Sequence, residues 1–213
     1  GDPVALVHDM GRGILSAVKT VFPGIPDFIC HFHFLRDIGK DLFETDYATI
    51  RNRLKKHKIR SLLRRRIKVL EKEIGDPKAF HCLSVSIDKN VPPAEANIAP
   101  MAAYAMIHWV FDQSELKGYG FPFDCPHLVF YRKLAVLYEM VNAPFGVGKA
   151  FSGLWRPLTK VIEDPQLKRA TSQMNERVKV FNKLRSALAI ADPKGGKGLN
   201  DDGDQVDIKS IEQ

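Results

Sequence analysis

Residues 4–42 read VALVHDMGRGILSAVKTVFPGIPDFICHFHFLRDIGKDL, and their pattern decides the fold. VALVH, at 4–8, is a short β-rich apolar run of the kind expected for a strand buried on both faces. Asp9 ends it. A helix is predicted over 12–22, where Ile14, Leu15, Val18 and Phe22 form one stripe, and Pro23-Gly24 stops it. DFIC at 27–30 reads as a second strand. A further helix follows over 33–43, with Phe34, Leu35, Ile38 and Leu42 on its apolar side. Strand, helix, strand, helix with short connections is the α/β signature, and its parallel strands need neighbours in a sheet. With no initiator Met and a strand this early, the chain reads as a piece of a longer protein.

Beyond residue 45 the pattern becomes helical. Within 47–74, Ile59, Leu63, Ile67, Leu70 and Ile74 recur every three or four residues, an apolar helix stripe. Arg60, Arg64, Lys68 and Lys72 recur every four residues on another face. Residues 40–72 hold 12 Lys/Arg and 4 Asp/Glu, a local net of +8 against +7 for the whole chain, so the remainder is close to neutral. Helices are predicted over 94–111, 128–140 and 164–188. Breaks fall at Pro92-Pro93, at the GYGFPFDCPH stretch of 118–127 and at Pro144 to Gly148. Residues 192–207 carry Gly, Lys and Asp with almost no apolar side chains and read as a flexible loop. Three domains are therefore expected: an α/β part over 1–45, a mostly α-helical part over 46–190, and a loop and tail over 191–213.

The 213 residues are 45% apolar and 27% charged, an ordinary globular composition that excludes collagen-like, mucin-like and wholly disordered chains. A basic balance, 32 Lys+Arg against 25 Asp+Glu, favours anionic partners. Cys30, Cys82 and Cys125 are too few for a disulfide framework and read as reduced thiols in a cytoplasmic setting. The longest apolar stretch, 98–111, is too short to span a membrane and reads as a buried helix.

Several residues carry candidate chemistry. Asp9 stands at the carboxyl end of a strand, before Gly11 and Gly13, where open α/β sheets place their sites. It is equally suited to capping the helix that follows. Cys30 and His33 form C-x-x-H, whose thiolate and imidazole are good zinc donors. A closed zinc site needs four ligands, and no second pair of matching spacing accompanies them, so a packed strand-to-helix corner is favoured over a metal. The basic stretch contains Arg51, Arg53, Lys55, Lys56, Arg60, Arg64, Arg65, Arg66 and Lys68, with no acid between Tyr47 and Leu70. A charge run is commonly a solvated face; this excess points instead to phosphate contact. Gly146-Val147-Gly148-Lys149 lacks the remaining P-loop residues, and NDDGD at 200–204 lacks the flanking ligands of an EF-hand.

Residues 7–42 resemble the segment around the second catalytic Asp of DDE transposases with a ribonuclease-H-like core, nearest in pattern to the Mutator-like group and its bacterial insertion-sequence relatives. The matching positions are Asp9, Gly11, Phe22-Pro23, Cys30, His33 and Arg36. The resemblance implies a partial ribonuclease-H-like core followed by a helical insertion domain, with Asp9 as a catalytic metal ligand and Cys30, His33 and Arg36 as motif residues. It also implies Mg²⁺ as cofactor, two ions in the complete enzyme, DNA as partner, a homo-oligomer on transposon ends, no membrane, and a cytoplasmic, DNA-associated location. The first catalytic Asp and the final Glu have no counterpart in context, since Glu163, Glu176 and Glu212 lack the Asn-rich signature; the chain by itself is expected to be inactive. The competing expectations are a noncatalytic nucleic-acid-binding helical protein, such as a transposase remnant, and a helical interaction domain whose basic face is only solvated.

Overall fold

The structure is a computed structural model that describes residues 3–9, 11–75, 95–142, 151 and 153–188. The expected loop at 192–207, the tail to 213, the breaks at Pro92-Pro93 and Pro144 to Gly148, the Gly146–Lys149 motif and Cys82 lie outside those residues. Among the described residues the chain is mostly helical, with a small two-stranded parallel sheet. The elements are β1 (Leu6–His8), α1 (Arg12–Val21), β2 (Asp27–Ile29), α2 (His31–Lys56), α3 (Ile59–Ile74), α4 (Glu95–Phe111), α5 (Pro126–Asn142), α6 (Trp155–Ile162) and α7 (Pro165–Ala187). None of these helices is long and apolar enough to cross a membrane.

The chain divides into two compact units. One comprises Gly1–Thr45, Lys117–Cys125 and the residues from Gln173 onward; the other comprises Asp46–Leu116 and Pro126–Ser172. In the first unit, β1 and β2 pair in parallel with Leu6 opposite Asp27, Val7 opposite Phe28 and His8 opposite Ile29. The sequence pattern predicts that β1 is buried on both faces, and here the structure corrects it. Val7 is 70% exposed and Phe28 56% exposed, and α1 buries none of its residues. Two short strands and one helix offer too little surface to cover both faces of a sheet. The hydrophobic centre of this unit lies instead around α2 and α7. There Phe43 meets Phe181 edge-on at 5.1 Å, Phe32 stacks on Phe123 at 4.8 Å, and Leu35 is fully buried.

The helix predicted over 33–43 continues without a break to Lys56. The polar run Glu44-Thr45-Asp46 resembles a stop signal, yet Asp46 falls on the buried stripe Leu35, Gly39, Phe43, Asp46, Ile50, Leu54, whose spacing follows the helical period. The real interruption comes at Lys58, which adopts the left-handed conformation with φ 52°. Leu54 and Ile59 are both buried. Five residues along a helix turn the side chain by about 140°, so a single left-handed residue resets the phase before α3 begins.

In the second unit α3 packs on α4 and α6, and α5 packs on α4 and α6. Ile59, Leu63 and Leu70 of the predicted α3 stripe are buried, while Ile67 and Ile74 are partly so. α6 has no counterpart among the helices predicted from sequence; its Leu158 and Val161 turn inward. The end of α4 is tied by Lys133, which donates to the Asp112 carbonyl at 2.6 Å and pairs with Glu115 at 2.9 Å. Cations at a helix carboxyl end complement its dipole and satisfy carbonyls that have no helical partner.

Candidate functional site

Asp9 lies just past β1, and Cys30 just past β2, with the Cys30 N–H donating to the His8 carbonyl at 2.7 Å. Parallel pairing therefore brings both positions to the same carboxyl edge of the sheet. Asp9 Oδ1 accepts the Gly11 N–H at 3.0 Å, closing a tight turn into α1. A Cβ at Gly11 would sit 2.9 Å from Asp9 Oδ1, so a larger residue there would push the carboxylate out of this bond. The carboxylate thus closes the turn ahead of α1 rather than capping the helix, whose N-cap is Gly11 with no side-chain cap hydrogen bond, while Oδ2 has no hydrogen-bond partner among the described residues.

His8, which no sequence motif singles out, organises this edge. Its Nδ1 donates to the Asp9 carbonyl at 2.5 Å and its Nε2 to Asp27 Oδ2 at 3.1 Å, so it ties β1 to β2. Both ring nitrogens face acceptors, the arrangement of the protonated imidazole. The hydrogen bond to the Asp9 carbonyl, then that to Asp27, raises its pKa above the ordinary histidine value. The apolar run VALVH hides this role, because only pairing with β2 brings Asp27 within reach.

Of the C-x-x-H-x-x-R residues, Cys30 is a half-buried free thiol. His33, in the first turn of α2, has a buried Nδ1 without a hydrogen-bond partner among the described residues. Arg36 pairs with its neighbour Asp37 at 3.3 Å, and Lys40 joins at 3.5 Å. Burial tends to raise the Asp37 pKa, but these two cations outweigh it and hold the carboxyl below its usual value. Among the described residues there is no group of three or more His, Cys, Asp or Glu side chains placed to hold a metal ion.

The basic stretch divides sharply in its environment. Arg51, Lys55, Lys56, Arg64, Arg65 and Lys68 are exposed. Arg66 pairs with Glu73 at 3.6 Å. Arg60 is partly buried, its guanidinium 3.8 Å from the centre of the Phe130 ring, and Arg64 lies 5.5 Å from that of Phe111. Arg53 turns inward. Its Nε donates to Asp164 Oδ2 at 2.8 Å, and Nη2 reaches the same oxygen. His57 Nε2 donates to that oxygen too, at 2.6 Å.

Asp164 is the hub of this arrangement. Its Oδ1 caps α7, accepting the Gln166 and Leu167 N–H groups at 3.0 and 3.1 Å. Its side chain is 1% exposed. Burial pushes its pKa up, but hydrogen bonds from His57, Arg53 and the Leu167 N–H prevail and lower it to about 2. Asp164-Pro165 is legible as a helix start, Asp capping and Pro in the first turn. Its partners, more than a hundred residues away in sequence, carry no local signal.

No family model, curated protein or solved structure matches the chain.

Proposed function

We propose that this chain is part of a DDE transposase, with residues 1–45 belonging to a ribonuclease-H-like core and the helices of the second unit, Asp46–Leu116 and Pro126–Ser172, to a helical insertion domain that grips DNA. The observation that carries the reading is the shared carboxyl edge of β1 and β2, where Asp9 stands beside Cys30 at the head of the helix bearing His33 and Arg36. Sites of open α/β sheets occupy this edge. The exposed apolar faces of the two strands suit a larger sheet, completed by strands that the described residues do not supply.

Asp9 fits as one ligand of a divalent centre, through the Oδ2 that the turn leaves over. Two Mg²⁺ ions, when bound, supply the activation of water and then of a DNA 3′-hydroxyl for in-line attack on phosphodiesters. His8 holds the β1 end against β2, and Gly11 lets the chain turn tightly beneath the carboxylate. In the full-length protein, Asp9→Asn is expected to abolish strand cleavage and leave DNA affinity within a few-fold. Retained cleavage removes Asp9 from the catalytic set.

A noncatalytic nucleic-acid-binding protein is the second reading. Arg64, Arg65 and Lys68, exposed together on α3 within about 100° of helix surface, favour it. Either reading expects DNA affinity to fall steeply with salt and to depend little on base sequence. Replacing these three with Gln should weaken binding uniformly and flatten the log–log salt slope by up to about three units. Filter binding across a salt series measures this. An unchanged slope makes the row a solvated face.

A further inference from the structure

We infer that Tyr47, Arg51, Arg60 and His127 form a phosphate-binding site in the second unit. Three helices each present a pair of side chains at helical spacing: Tyr47 and Arg51 from α2, Arg60 and Arg64 from α3, His127 and Phe130 from α5. Tertiary contacts bring the pairs together. The Tyr47 and His127 rings lie 5.3 Å apart, and the Arg60 guanidinium covers Phe130, one helical turn beyond His127.

The cluster carries two arginines and no acidic residue. Neither Arg51 nor Arg60 forms an ion pair among the described residues, although Arg60 is partly buried. Burial, and then Arg64, lowers the pKa of Arg60 below the ordinary arginine value. A desolvated guanidinium without a counter-charge is unfavourable, and an anion relieves it. His127 adds a second unmet requirement, because its buried Nδ1 has no hydrogen-bond partner among the described residues. Burial, then Arg60 and Arg51, lowers its pKa. A neutral imidazole offers one N–H donor, and an anion seated between it and the arginines would take donors from both. The site opens the first turn of α5, which contains no acidic residue, so the helix dipole contributes potential of the same sign.

An arginine pair, an imidazole and a tyrosine ring suit a phosphate oxyanion better than a carboxylate, since three or more oxygens can be served from several directions. That the phosphate belongs to a polynucleotide backbone rests on the reading proposed above. The phosphate site itself does not.

The test uses the whole ¹⁵N-labelled chain, titrated with inorganic phosphate against a chloride control of equal ionic strength, and separately with a short DNA duplex. Phosphate should shift the His127 ring and Arg60 side-chain resonances saturably, whereas chloride should not. Arg51→Gln and His127→Gln should each weaken phosphate binding about tenfold, the loss expected for one charge-assisted hydrogen bond, with unchanged thermal melting. Arg51 is exposed, so its variant remains informative even if the His127 variant is destabilised. Saturable shifts from both phosphate and DNA, weakened by both variants, identify a backbone phosphate as the ligand. Saturation by phosphate alone upholds the site and removes the nucleic-acid reading. The absence of saturable phosphate shifts at His127 overturns the inference, even if DNA still binds through Arg64, Arg65 and Lys68.

Discussion

Asp164→Ala is expected to destabilise the protein by about 3 kcal/mol, because it strips the counter-charge from Arg53 and His57 and the cap from α7 in one step. For a chain of this length that corresponds to a fall in melting temperature of about 6–12 °C. Arg53 and His57 are both mostly enclosed, with side chains 22% and 19% exposed, so water recovers only part of the lost interaction. The same carboxylate predicts an acid limb in stability. Its pKa is about 2 when folded, against an ordinary value of 3.8. A depressed carboxylate contributes its full stabilisation above the unfolded pKa and loses it as pH falls through the folded one. The contribution is about 2 kcal/mol, lost mainly between about pH 4 and pH 2. Asp164→Asn, which keeps the shape but not the charge, should therefore differ from the parent by about 2 kcal/mol less at pH 2 than at pH 6. Urea melts at the two pH values measure it. A difference that does not change with pH shows that the ionised carboxylate is not what Arg53 and His57 stabilise.

Gly39→Ala should destabilise as well, against the usual trend. In an exposed helix interior, alanine improves on glycine by about 1 kcal/mol. Gly39, however, sits inside α2 where another segment crosses closely. A Cβ there would lie 2.5 Å from Pro122 Cγ and 2.8 Å from Phe181 Cε2. Both neighbours belong to the packed aromatic centre of the first unit, around Phe43, Phe123 and Phe181, which cannot move aside without losing contacts. Overpacking of this kind costs about 1–3 kcal/mol, more than the propensity gain, and Gly39→Val should cost more than Gly39→Ala. The urea midpoint should fall with little change in slope. A rise in midpoint for Gly39→Ala would show that the crossing segment yields freely.

Local sequence carries far in the parts governed by period and by chain ends. The stripe through Ile59, Leu63 and Leu70 announces α3, the alternation of strand and helix over residues 4–42 announces β1, α1 and β2, and Asp164-Pro165 announces the start of α7. Each signal depends on residues within a few positions of one another, where backbone geometry alone relates them. Asp9 and Cys30 are likewise legible as strand ends, and parallel pairing then sets them side by side.

Other features required the third dimension. Arg51 and Arg53 are neighbours in one basic run, yet Arg51 faces water and Arg53 faces Asp164. Two residues along a helix differ by about 200°, so composition alone cannot sort them, and only the start of α7 defines which side is inside. Asp46 looks like a helix stop until its place on the buried stripe of α2 is seen. The run VALVH suggests burial on both faces, but burial belongs to the neighbours of a strand rather than to the strand itself. His8 needs Asp27, His57 needs Asp164, and Arg60 needs Phe130. These pairings span 19 to 107 residues where they are hydrogen bonds. They exist because separate helices and strands pack by their apolar faces, and that packing brings polar groups from distant parts of the chain within a few ångströms.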